Sequence, residues 1–175
     1  NTKEHQDMLR KITGTVFEVP AQVLKKITDT ETPQGIVAVA GYEPSTLDTL
    51  SLKANPLLVV LDAIQDPGNL GTIIRTADAA AADAVILLPG SCDVFMPKVI
   101  RATAGSIFNL PLIYTEPASL VYWLRKKKIR LVVTAADAGK TIFESDLSGN
   151  IAIAFGNEAH GISDHLRKAA DIFLN

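Results

Sequence analysis

The chain has 175 residues, 47% of them apolar, and its 17 Lys and Arg against 19 Asp and Glu give a net charge of −2. That length fits one domain with at most a fragment of another, and the apolar share is enough for a core. The charge excludes a chain that holds nucleic acid by bulk electrostatics alone. No apolar run approaches the roughly 18 residues of a membrane helix, so no membrane association is expected. The polar opening, Asn1-Thr2-Lys3-Glu4-His5-Gln6, lacks the apolar core of a signal peptide. Cys92 is the single cysteine, with no second thiol to pair with and no His or Cys at metal spacing. It reads as structural, in a reducing, cytoplasmic setting, with no metal site.

In chain order, residues 16–19 (VFEV) predict a short strand and residues 20–27 a short helix, with Val23, Leu24 and Ile27 at helical spacing. Residues 35–40 (GIVAVA) predict an apolar strand. Residues 44–55 read as a connector, and Pro56 marks the domain boundary. Strand candidates follow at 57–61, 84–88, 131–134 and 151–155, separated by helix candidates at 70–81, 97–103, 118–127 and 163–170. The strands are continuous apolar runs, which implies cover on both faces. Alternation of strand and helix predicts an α/β fold with a mostly parallel sheet and helices on both faces. Ser163 is the expected N-cap of the last helix. Both ends read as cut, and residues 171–175 read as a strand getting under way. Arg125-Lys126-Lys127-Lys128, with Arg130 beyond, is a basic cluster that suits either a helix C-terminus or a phosphate contact.

Two segments carry the chemistry. In Leu61-Asp62-Ala63-Ile64-Gln65-Asp66-Pro67-Gly68-Asn69-Leu70-Gly71-Thr72-Ile73-Ile74-Arg75-Thr76-Ala77, a strand runs through a turn directly into a helix. Asn69 is read as the helix N-cap and also as a residue at the C-terminal end of a strand, where α/β folds bind ligands. Arg75 has two readings: an exposed helical arginine paired with Asp78 at i+3, or a functional group. In Phe155-Gly156-Asn157-Glu158-Ala159-His160-Gly161-Ile162-Ser163, glycines allow close backbone approach after a strand. His160 is read as a surface residue. Thr134-Ala135-Ala136-Asp137 follows another strand, and Arg101-Ala102-Thr103-Ala104-Gly105-Ser106 is a small-residue stretch suited to close helix packing.

These segments resemble motifs 1 and 2 of the SpoU/TrmH-type RNA 2′-O-ribose methyltransferases of the SPOUT superfamily. The resemblance implies a SPOUT-type, trefoil-knot methyltransferase domain over residues 56–175. Its third motif, the final knot segment, is absent from this sequence. Residues 1–45 are similar to the C-terminal part of a small RNA substrate-binding domain with the start of a linker. The implied activity is methyl transfer from S-adenosyl-L-methionine to a ribose 2′-hydroxyl of RNA, with ribosomal RNA ahead of transfer RNA, by a homodimer. The implied catalytic residues are Arg75, Asn69 and Glu158. The implied cofactor-binding residues are Gly156, Thr134, Ala135 and Asn157. A guanidinium is a poor base, so Arg75 is expected to orient the hydroxyl and stabilise the developing alkoxide. A carboxylate beside Arg75 could fix its orientation. The alternative is an inactive RNA-binding or ribosome-assembly module of the same fold. A dinucleotide-binding domain is disfavoured, because no G-x-G-x-x-G follows the first strand.

Overall fold

A computed structural model describes every residue except 1–5, 8 and 29, so most of the polar opening lies outside the described residues. The chain forms two compact units, residues 1–42 and 43–175. In the first, helix α1 spans Ala21–Thr28, close to the expected helix. The strands expected at 16–19 and 35–40 do not form. Phe17 and Val39 are 78% and 98% exposed. An apolar run becomes a strand only when its backbone pairs with another, and no ladder includes these residues.

The second unit is built on six strands: β1 (Leu57–Asp62), β2 (Ala84–Leu87), β3 (Leu112–Tyr114), β4 (Arg130–Thr134), β5 (Ile151–Gly156) and β6 (Ile172–Leu174). All are parallel, in the order β3-β2-β1-β5-β4-β6. Successive side chains of β1 point to opposite faces. Leu58 and Val60 pack with Leu120, Trp123 and Leu124 of α4 (Pro117–Lys127) and Leu166 of α5 (Asp164–Ala169). Val59 and Leu61 pack with Leu70, Ile74 and Ala77 of α2 (Pro67–Ala79) and Val99 of α3 (Pro97–Ala102). This two-sided cover is why the strands read as unbroken apolar runs. The expected sheet with helices on both faces is what the structure shows.

Residues 43–55 pack with this unit instead of hanging as a free connector. Leu47, Leu50 and Leu52 lie against its core. The buried Asp83 carboxylate accepts the backbone N–H groups of Lys53 and Leu57, both at 3.0 Å, which fixes the entry to β1. In the basic cluster, Arg125 donates to Asp171 and to the Ala169 carbonyl, and Arg130 donates to the carbonyls of Asp146 and Ser148. These two arginines close the ends of α5 and of the loop before β5.

Helices α2 and α3 meet at Gly71. A Cβ there would stand 2.4 Å from the Ala102 Cβ and 2.8 Å from the Val99 carbonyl oxygen. The small-residue stretch beginning at Arg101 therefore serves packing. Gly71→Ala should lower stability by a net 1–2 kcal/mol or so, because overpacking outweighs the roughly 1 kcal/mol gained in helix propensity. Urea denaturation reads this directly, and a variant as stable as the parent would mean that α3 yields freely.

Candidate active site

The sheet changes direction between β1 and β5. From β1 the chain leaves through α2 on one face, and from β5 through α5 on the other. Open α/β sheets bind ligands at such a point, beyond the C-terminal ends of the strands. Asp62 and Gly156 end the two strands in register.

Local chemistry shapes the loop after β1. Ala63 is left-handed, with φ 60, a conformation uncommon outside glycine. Its carbonyl accepts the Asn157 side-chain N–H at 2.8 Å. Asp66 then caps α2: its Oδ1 accepts the Asn69 backbone N–H at 2.8 Å, and Pro67 takes the first helical position. Asn69 is thus not the N-cap. It is the third residue of the helix, and its side chain donates to Glu158 Oε1 at 3.0 Å.

The loop after β5 is closed by its own backbone. Asn157 and Gly161 exchange N–H to carbonyl bonds of 2.9 and 2.8 Å. Gly156 has no room for a side chain, since a Cβ would lie 2.2 Å from the Gly161 carbonyl carbon. Asn157 is buried, and its Oδ1 accepts the backbone N–H groups of Ala159 and His160, each at 3.0 Å. His160 is exposed, with its Nδ1 2.9 Å from the same oxygen. Ser163 does precede α5, but its hydroxyl makes no cap and is buried without a partner among the described residues. Its N–H donates instead to the buried Asp62 carboxylate at 2.7 Å.

Glu158 joins the two loops. Besides Asn69, it accepts the backbone N–H groups of Gln65 and Asp66, both at 3.2 Å. The Asn69 amide, helped by these backbone donors, pulls its pKa down from 4.5 to about 2. Glu158 is therefore an anion at any physiological pH, held by neutral donors. A cleft of about 250 Å³ opens beside it, lined by Ile64, Asn69, Thr72, Ile73, Phe155, Gly156 and Glu158.

Apart from Asn157, which is buried in the loop after β5 and outside the cleft lining, the expected residues divide into three groups. Asn69, Glu158 and Gly156 come together in the cleft. Thr134 and Ala135 sit at the same edge of the sheet, outside that lining. The Thr134 hydroxyl donates to the Ala154 carbonyl, and the Ala135 N–H to the Leu174 carbonyl. Arg75 is exposed on α2 and makes no ion pair among the described residues. Asp78, its suggested partner, instead accepts from the Asn109 amide at 3.2 Å. The carboxylate imagined beside Arg75 is engaged by Asn69. Sequence reasoning missed Asp66 as the helix cap, although Asp-Pro ahead of an apolar helix is a recognisable start signal. It also missed Thr72 as a cleft wall, together with Ile64, Ile73 and Phe155, whose apolar types read as core.

Residues 56–175 match the model of the SpoU rRNA Methylase family, and residues 1–44 match that of the RNA 2′-O ribose methyltransferase substrate-binding domain. The chain belongs to the SpoU rRNA methylase family. It is 40% identical over 148 residues to the 23S rRNA (guanosine(2553)-2′-O)-methyltransferase RlmP of Bacillus subtilis, covering 85% of this chain and 58% of that protein. It is 36% identical over 173 residues to the 23S rRNA (guanosine-2′-O-)-methyltransferase RlmB of Haemophilus ducreyi, covering 94% and 70%. The SpoU methyltransferase AviRb from Streptomyces viridochromogenes, solved with AdoMet, superposes with a TM-score of 0.92 at 28% identity, covering 100% of this chain and 69% of that one. The chain spans 58% and 62% of the lengths of two curated relatives it matches, the second a 23S rRNA (uridine(2479)-2′-O)-methyltransferase of Streptomyces viridochromogenes.

Replacing Glu158 by Gln should lower stability near neutral pH. The folded pKa lies below the unfolded one, so the carboxylate's contribution is complete above the ordinary value of 4.5 and fades as pH falls toward about 2. Urea denaturation of both proteins between pH 7 and pH 3 should give a gap that is constant at the upper end and narrows at the lower. A gap that widened on acidification would contradict the assignment.

Proposed function

We propose that this protein transfers a methyl group from S-adenosyl-L-methionine to a ribose 2′-hydroxyl of RNA, ribosomal RNA ahead of transfer RNA, as a cytoplasmic homodimer. The observation that carries the reading is the Asn69–Glu158 pair, fixed by backbone donors at the β1–β5 crevice. The names of the 23S rRNA methyltransferase relatives and the AdoMet complex of AviRb support the substrate and the donor.

The cleft fits part of such a ligand set. Its apolar walls, Ile64, Ile73 and Phe155, stand against one polar corner, Asn69 with Glu158. At about 250 Å³ it is smaller than the roughly 300–1,000 Å³ of sites that enclose a whole small ligand. It suits the reacting end. When bound, S-adenosyl-L-methionine supplies an electrophilic methyl group.

The roles then follow from residue chemistry. Gly156, Thr134 and Ala135 offer backbone along the ends of β5 and β4 for the donor side. Asn157 serves that side by shaping the loop, since its own amide is consumed in protein contacts. Asn69 and Glu158 position the nucleotide's polar edge, with Glu158 an acceptor at all relevant pH. Arg75 stabilises the alkoxide that develops on the ribose oxygen. It stands apart from the cleft lining of its own subunit, which suits a site completed between two subunits. Recognition of the 2′-hydroxyl separates RNA from DNA. Residues 1–45 would assist in recruiting the RNA, as the substrate-binding match suggests.

Arg75→Ala should reduce single-turnover methyl transfer about 10²–10³-fold, the scale for removing one oxyanion-stabilising donor, with unchanged circular dichroism. Near-parental transfer would remove Arg75 from the reaction. Sedimentation equilibrium at micromolar concentration should give a dimer mass, and a monomer that still methylates RNA would eliminate the shared site.

A further inference from the structure

Lys98 is oddly placed for a purely structural cation. It occupies the first turn of α3, just after Pro97, where the positive end of the helix favours acidic side chains; none is present in that turn. Its ammonium stands 4.0 Å from Asp66 Oδ2, with the two side chains 64% and 49% exposed. That separation is too long for a direct hydrogen bond, and an exposed pair of this kind stabilises little.

Asp66 lies outside the cleft lining but is tied to it through Glu158. Its other oxygen caps α2, and its N–H donates to Glu158. Two carboxylates, Glu158 in the cleft lining and Asp66 bonded to it through its backbone, therefore lie close together on this side of the protein. Their field repels phosphate. Among the described residues, Lys98 is the cation that makes an ion pair with Asp66. It is exposed, on a long stem, and only loosely engaged.

We propose that Lys98 is a positioning residue for RNA: its ammonium binds a backbone phosphate next to the nucleotide in the cleft and offsets the carboxylates there. The inference rests on the RNA reading above. A phosphate within reach gives the ammonium a stronger partner than Asp66 at 4.0 Å, because charge-assisted contacts to phosphate form at shorter range. Phosphate contacts fix register and orientation without reading sequence. Lys98 thus acts through substrate placement and not at the reacting atoms.

The test uses the full-length protein with protein-free 23S rRNA as the probe, in filter binding across about 50–200 mM KCl. Lys98→Ala should weaken binding about 3–10-fold and flatten the plot of log affinity against log salt by about one phosphate contact. Lys98→Arg should restore both, and Lys98→Glu should weaken binding further. Asp66→Asn keeps the helix cap and breaks the ion pair while leaving the cation. It should bind RNA at least as tightly as the parent if Lys98 serves phosphate, and should mimic Lys98→Ala if the pair is merely structural. The KM for RNA should rise in Lys98→Ala, while donor affinity by calorimetry stays level. If the parent binds and methylates 23S rRNA and Lys98→Ala keeps its affinity and salt slope, the role of Lys98 is overturned and the activity stands. If the parent does not bind 23S rRNA, both fall.

Discussion

Everything at the C-terminal edge of the sheet depends on tying together two loops that leave neighbouring strands in opposite directions. β1 and β5 are paired through six residues, but beyond Asp62 and Gly156 the ladder ends and the chain diverges to opposite faces. Three side-chain contacts replace the ladder. Asp62 accepts from the Ser163 backbone, Asn157 donates to the Ala63 carbonyl, and Glu158 accepts from Gln65, Asp66 and Asn69. A carboxylate or an amide at each crossing point, buried at Asp62 and Asn157 and exposed at Glu158, satisfies backbone groups that the strands no longer pair. The crevice opens because the strands part, and these contacts bridge the gap.

The choice of donors around Glu158 sets its chemistry. A carboxylate held by an arginine forms a neutralised pair. Held by an amide and two peptide N–H groups, it keeps its full charge and its basicity falls. Such an anion is a fixed acceptor and a poor proton carrier near neutral pH. The guanidinium of Arg75, in contrast, makes no ion pair among the described residues.

Much of this fold can be read in the residues themselves. Continuous apolar runs at 57–61, 84–88, 131–134 and 151–155 became buried parallel strands to within about a residue, because burial on both faces leaves no other pattern. β3 has three residues behind Pro111, too few to show any period. Residues 16–19 and 35–40 have the same apolar look as true strands, yet strand formation depends on a partner that composition does not reveal. At the site, the resemblance of the two motifs, and not the residue types alone, implied that Asn69, Gly156 and Glu158 belong to one site, with the carboxylate expected beside Arg75. What they bond was not legible. Asn69 and Asp66 are both good caps, and only the position of Pro67 favours Asp66. The contact between Asn69 and Glu158 spans 89 residues and belongs to tertiary geometry alone.

That separation also orders events in time. β1 lies in the middle of the sheet, with β2 following closely and β5 about a hundred residues behind, as the register of Leu57 with Ile151 requires. A ribosome adding roughly 5–20 residues per second takes on the order of 5–20 s between Gln65 and Glu158, 93 positions apart. Through that interval one hydrogen-bonding edge of β1 has no native neighbour. An unpaired apolar edge is a template for wrong pairing, so the nascent chain is most exposed to misassembly along the line where its crevice will open. The crevice is thus among the last features to be completed during synthesis, and its assembly reports that the central part of the sheet has closed.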